Sequence, residues 1–195
     1  MLNAYYQDSI QVFLTKSVEE IIGKISLANK FDANSESIEA WKQQILILKD
    51  QLKTFSGNIY FEFSIPRMGK RIDCLLIIKN VVFVLEFKVG EKNYLRYHID
   101  QVWDYALDLK NFHKPSHEAV IVPLLIATEA INNYTEILVS SHNDDLLHPI
   151  KSNKHEIKNI IDQVLLFYIG KLDLNNSAYI SGSYSPTPTI IEAAV

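Results

Sequence analysis

Apolar residues recur along this chain with two periods, and the switches between them outline the fold. Ile21, Ile22 and Ile25 lie on one side of a short segment, and Ile38, Trp41, Ile45, Leu48 and Leu52 recur at helical spacing within residues 37–53. Ser17, with Glu20 three residues on, forms a capping-box pattern before the first of these helices. After the turn signal Ser56-Gly57-Asn58 the period becomes two: Ile59, Phe61, Phe63 and Ile65 are expected on one face, Tyr60, Glu62 and Ser64 on the other. Strands at 72–78 and 81–89 follow after short connections, so three strands form an antiparallel meander. The helical period returns over 99–112 through Val102, Tyr105, Ala106 and Leu109, ahead of Pro115. Residues 119–127 read as another buried strand, in which Pro123 suggests an edge, a bulge or a strand start. A weaker strand is expected near 137–139 and a last helix over 156–169, while the first dozen residues read as an arm docking on the body.

This order predicts an α/β fold whose mixed central sheet, the antiparallel meander plus a further strand, is flanked by helices. The 195 residues suit one domain, placed at 1–172. The Asn-, Ser-, Pro- and Thr-rich stretch 173–195 reads as a linker toward a missing or separate C-terminal region. A formal charge of −4 argues against a surface coated in basic groups, though not against a local basic groove. The single cysteine, Cys74, has no internal disulfide partner, no apolar run is long enough for a membrane span, and the N-terminus lacks a signal-peptide pattern. A cytoplasmic protein with no membrane partner is the expectation.

Charge changes the picture at one strand. Glu86 and Lys88, two residues apart, share a face of an otherwise apolar element. Two charges there are costly unless they are paired or bind something charged. Asp73 on the preceding strand supplies a second carboxylate, and the Phe87 carbonyl could add an oxygen. Carboxylates that share a hard cation beside an ammonium are the parts needed for metal-dependent phosphodiester hydrolysis.

Asp73 followed by Glu86-Phe87-Lys88 at the end of a hydrophobic strand resembles the core of the PD-(D/E)XK nuclease superfamily, with Ile72 where the motif name has proline. Gln101 and Tyr105 match the Q-x-x-x-Y spacing of its RecB-like branch, one helical turn apart. The resemblance implies a restriction-endonuclease-like core and a magnesium or manganese ion held by Asp73 and Glu86. It implies catalysis by Lys88 and substrate contacts from Gln101 and Tyr105. It also implies an acid from the first helix, for which Glu20 is the candidate and Glu19 and Glu62 are rivals; a capping carboxylate is an equal reading of Glu20. The stretches 61–73, 83–90 and 100–113 resemble the nuclease-like N-terminal region of bacterial proteins that continue into a Schlafen-type P-loop DNA/RNA helicase region, and 184–189 resembles the joint. No G-x-x-x-x-G-K-[ST] loop is present, so the helicase partner is expected in cis beyond this stretch or in trans.

The expected activity is metal-dependent nuclease action on nucleic acid, DNA ahead of RNA, with Arg67, Lys70 and Arg71 as phosphate-binding residues and a homo-oligomer possible. The alternatives are a non-cleaving nucleic-acid module that positions substrate for a helicase, and a protein-interaction scaffold. The histidines show no zinc spacing with cysteine.

Overall fold

The computed structural model describes residues 4–29, 34–65, 68–131, 137–140, 144–170 and 173–187. A six-stranded sheet in sequence order forms its centre: β1 (Tyr6–Ser9), β2 (Asn58–Ser64), β3 (Arg71–Ile78), β4 (Val81–Lys88), β5 (Val120–Ala127) and β6 (Ile150–Ser152). The first four strands pair antiparallel, and β4, β5 and β6 run parallel. The sheet is therefore mixed, as the sequence predicts, with edge strands β1 and β6 added. Both come from segments too short and too polar to stand out by periodicity.

Seven helices complete the fold among the described residues: α1 (Ile10–Thr15), α2 (Val18–Ala28), α3 (Ser35–Gln51), α4 (Arg96–Phe112), a 3₁₀ turn over Lys114–Ser116, α5 (Ile157–Phe167) and α6 (Asn176–Ile180). Ser17 caps α2 by accepting from the Glu20 N–H, and Asn34 caps α3 through the Ser37 N–H. No helix among the described residues is long and apolar enough to cross a membrane.

Alternation along each strand divides the core in two. Val81, Phe83, Leu85 and Phe87 of β4 join Trp41, Ile45 and Leu48 of α3 and Ile160, Ile161 and Val164 of α5. Val82 and Val84 face the other way, onto Val102, Ala106 and Leu109 of α4. Glu86 and Lys88 have the parity of the α4 face.

The alternation fails at one point that matters for the site. Ile59 and Phe61 lie in the first core, but Phe63 and Ile65 lie in the second, contrary to the expected single face. Glu62, between them, has φ 53°, in the left-handed region that a β-carbon disfavours. That kink turns β2 over and swings Glu62 out of the regular pleat.

Pro123 lies in an interior strand, not at an edge. Ile121, two residues earlier, exchanges backbone hydrogen bonds with Asp145 and Leu147, and the β6 ladder begins only at Ile150. By parity the missing Pro123 donor faces the intervening break at His148-Pro149, where no ladder bond is lost. The weak strand expected at 137–139 reduces to one bridge, Val139 with Leu147.

The stretch read from composition as a linker is docked over residues 173–187; residues 188–195 lie outside the described ones. Tyr179 is buried and hydrogen-bonds the buried Ser116, whose hydroxyl also meets His113 Nδ1. Ser185 and Thr187 donate to the carbonyls of Phe112 and Asn111 at the end of α4, and Tyr184 stacks on Phe112. Gly182 permits this approach, since a β-carbon there would stand 2.5 Å from His113 Nε2 and 2.4 Å from Pro115. Gly182→Val is expected to lower stability by about 1–3 kcal/mol. It should also open the segment to chymotrypsin at Tyr179, measured by urea unfolding and limited proteolysis against the wild type.

Candidate functional site

The site begins where β3 and β4 part. Their ladder runs from Ile78–Val81 to Cys74–Leu85 and ends there, while β4 stays with β5 as far as Lys88–Ala127. Asp73 and Glu86 are the next residues along the two diverging strands. The N–H of Phe87, freed from the ladder, donates to Asp73 Oδ2 at 2.9 Å. One carboxylate thus satisfies the backbone donor left open by the fork.

Glu86 is almost fully buried, 3% exposed. Its Oε1 accepts from Lys88 Nζ at 2.8 Å, while Oε2 is buried and has no hydrogen-bond partner. Lys88 Nζ also donates to Gln101 Oε1 at 2.9 Å, and Gln101 Nε2 donates to Tyr105 Oη at 2.9 Å. One line of contacts therefore joins Glu86, Lys88, Gln101 and Tyr105, crossing from β4 to α4. The i, i+4 spacing on α4 makes the last link.

Asp73, Glu86, Phe87 and Lys88 line a cavity of about 310 Å³ together with Glu62, Arg71, Trp41 and Gln44. The kink places Glu62 between the pairs Phe61–Cys74 and Phe63–Ile72, opposite Asp73. Trp41 Nε1 donates to Glu62 Oε1 at 3.0 Å, and Arg71 Nε lies 3.2 Å from Oε2. Gln44 is 5% exposed, with a buried Oε1 that has no partner. Two residues of this lining, Glu86 and Gln44, therefore each carry a buried acceptor oxygen without a partner. A buried acceptor without a donor is costly, and a cation is one way to satisfy it.

The predicted residues distribute unevenly around this cavity. Asp73, Glu86, Lys88 and Arg71 line it, and Gln101 and Tyr105 connect to it through Lys88. Glu20 does not line it; on α2 its carboxylate lies 3.6 and 3.5 Å from Lys16 and Lys24. Glu62, the rival, does line it. Lys70 pairs with Asp108 at 2.7 Å and lines a neighbouring cleft of about 320 Å³ with Tyr97, Gln101 and Tyr105. Arg67 lies outside the described residues. Sequence reasoning missed Gln44, whose place one turn from Trp41 reads as ordinary helix surface. A larger cavity of about 890 Å³ lies at the other end of β3, bounded by Phe55, Ile78 and Leu165, and among the described residues none of its lining side chains carries a buried unpartnered polar atom.

Electrostatics follow from the burial. Desolvation pushes the Asp73 carboxyl well above its usual range, and the Glu86 charge adds to this, against the Phe87 N–H. Burial also raises Glu86, opposed by the Lys88 ammonium. Among the described residues no three His, Cys, Asp or Glu side chains already stand in a metal-ligand arrangement. No protein-family model matches this chain, and no curated protein matches it.

An acid whose pKa is raised by folding takes up protons in the folded state first, so stability falls as pH rises from its unfolded value through its folded one. Asp73→Asn is therefore expected to stabilise the metal-free protein at neutral pH by about 0.5–2 kcal/mol. The gain should shrink as pH falls toward the ordinary carboxylate range. Melting temperatures of both proteins across pH, in chelator, measure this difference.

Proposed function

We propose that the chain is a metal-dependent phosphodiesterase domain acting on nucleic acid, DNA ahead of RNA. The observation that carries this reading is the convergence of Asp73, Glu86 and Lys88 on one cavity with a buried, unpartnered carboxylate oxygen. The donors are all oxygens, which suit a hard cation such as Mg²⁺ or Mn²⁺. Asp73 and Glu86 would hold it, with Glu62 and Gln44 at hand in the same cavity. A bound divalent cation supplies Lewis-acid polarisation of a phosphoryl oxygen and a more acidic bound water.

The chain's own groups take the remaining roles. Lys88 is held at both ends, by Glu86 and Gln101, so its ammonium has a fixed place from which to orient an attacking water or offset developing negative charge. Gln101 and Tyr105 extend the line of polar groups along α4 and orient the substrate. Arg71 and Lys70 flank the two clefts and would bind phosphate. The motif resemblance to PD-(D/E)XK nucleases and to helicase-linked nuclease-like regions supports the same reading. It brings with it a helicase partner in cis or trans and a cytoplasmic setting, with a homo-oligomer as a further possibility.

A second reading is a non-cleaving module that positions nucleic acid. Its support is that Lys88 and Arg71 already pair with Glu86 and Glu62. Single- and double-stranded DNA and RNA, each with Mg²⁺ or Mn²⁺, separate the two readings. Cleavage is expected from the wild type and should drop by about 10²-fold or more in Asp73→Ala and Lys88→Ala. Cleavage that persists in both variants rejects the assignment. Binding without cleavage under every metal selects the second reading.

A further inference from the structure

Two cationic side chains line the cavity, and they are held differently. Lys88 is 19% exposed and tied to Glu86 and Gln101. Arg71 is 40% exposed and pairs with Glu62 at 3.2 Å. Its guanidinium lies 4.8 Å from the centre of the Tyr5 ring and hydrogen-bonds the Tyr5 hydroxyl. Glu62 is 16% exposed and has both oxygens engaged, one by Trp41 and one by Arg71. Glu62, left-handed at φ 53°, lies between the Phe61–Cys74 and Phe63–Ile72 pairs and lines the same cavity as Asp73.

We propose that Glu62 is the third acid of the cation site and that Arg71 is a latch on it, released when a phosphate-bearing strand draws the guanidinium away. The proposal rests on the cation-site reading above and adds how the site loads. Counted at the full charges a bound cation would demand, Glu62, Asp73 and Glu86 carry three negative charges against two positive ones on Lys88 and Arg71, a net of one. With Arg71 withdrawn, two remain, the charge a divalent cation carries. The Arg71–Glu62 contact is partly solvated and therefore weak enough to exchange. A phosphate offers the same planar fork a stronger, charge-assisted partner. Glu86 Oε2 and Gln44 Oε1, on residues of the same lining, have no hydrogen-bond partner even with the latch closed. By linkage, nucleic acid should tighten cation binding, and the cation should tighten nucleic-acid binding to the same degree.

Isothermal titration with Ca²⁺, alone and with a short oligothymidylate, tests this without turnover. Arg71→Gln is expected to raise the affinity for Ca²⁺ alone by roughly two- to fivefold, while weakening oligonucleotide binding and reducing the coupling between the two. Glu62→Gln should lower Ca²⁺ affinity by about tenfold or more, and the gain from Arg71→Gln should vanish in the double variant. In a Trp103→Phe background Trp41 is the sole tryptophan, and its fluorescence should change when the oligonucleotide frees Glu62. Arg71→Lys keeps the charge without the fork and should fall between the wild type and Arg71→Gln, which separates latch loss from misfolding. Unchanged Ca²⁺ affinity in Glu62→Gln or in Arg71→Gln overturns the latch, provided Asp73→Asn still loses binding. Ca²⁺ binding that survives Asp73→Asn, or its absence from the wild type, overturns the cation site itself and the latch with it.

Discussion

A single hydrogen bond, from the Phe87 N–H to the Asp73 carboxylate at 2.9 Å, holds open the fork on which the cavity depends. Had β3 and β4 stayed paired past Cys74–Leu85, Asp73 and Glu86 would sit side by side in a closed ladder. Here β3 follows β2 to its start at Arg71, β4 follows β5 to Lys88, and the gap between them becomes the cavity. A freed backbone donor needs a partner, and the acid that the chemistry requires is also the group that satisfies it. Structural and chemical demands on Asp73 therefore coincide, which explains how a carboxyl raised by burial is kept in the fold.

The second constraint is the kink at Glu62. A glutamate at φ 53° is strained, and two features coincide with the strain: β2 changes the core it faces, and Glu62 falls opposite Asp73 in the register. Trp41 from α3 and Arg71 from β3 then anchor the Glu62 carboxylate. α3 contributes from one side of the sheet, and α4, through the bond of Gln101 to Lys88 of β4, from the other. The cavity thus joins the two halves of the molecule at the end of the sheet, where the strands separate enough for side chains from both faces to meet.

Much of this was legible in the chain. The helical stripe Trp41, Ile45 and Leu48 and the alternation of β4 are local patterns that survive in the fold, because burial on one face sets their period. The pairs Glu86–Lys88 and Gln101–Tyr105 were readable too, since i+2 on a strand and i+4 on a helix each fix a shared face; the Lys88–Gln101 bond that joins them was not. Glu20 shows where local reasoning stops. Its capping-box position was correct for Glu20's backbone, whose N–H is capped by Ser17, but α2 carries its side chain to Lys16 and Lys24. The docking of residues 173–187 was equally invisible, because its polar composition conceals one buried tyrosine and one glycine fitted against His113.

The sequence alone determined the types of the longer helices and strands, the mixed sheet they imply and the pairing of an acid with a lysine on one strand face, because each rests on short-range periods and their order. Tertiary structure decided which glutamate joins Asp73, where β3 leaves β4, and that Gln44 and Arg71 share the cavity with them. Those outcomes depend on one left-handed residue and on contacts between elements far apart in the chain. No period in the sequence encodes either, since a kink is a single-residue event and a long-range contact has no repeat.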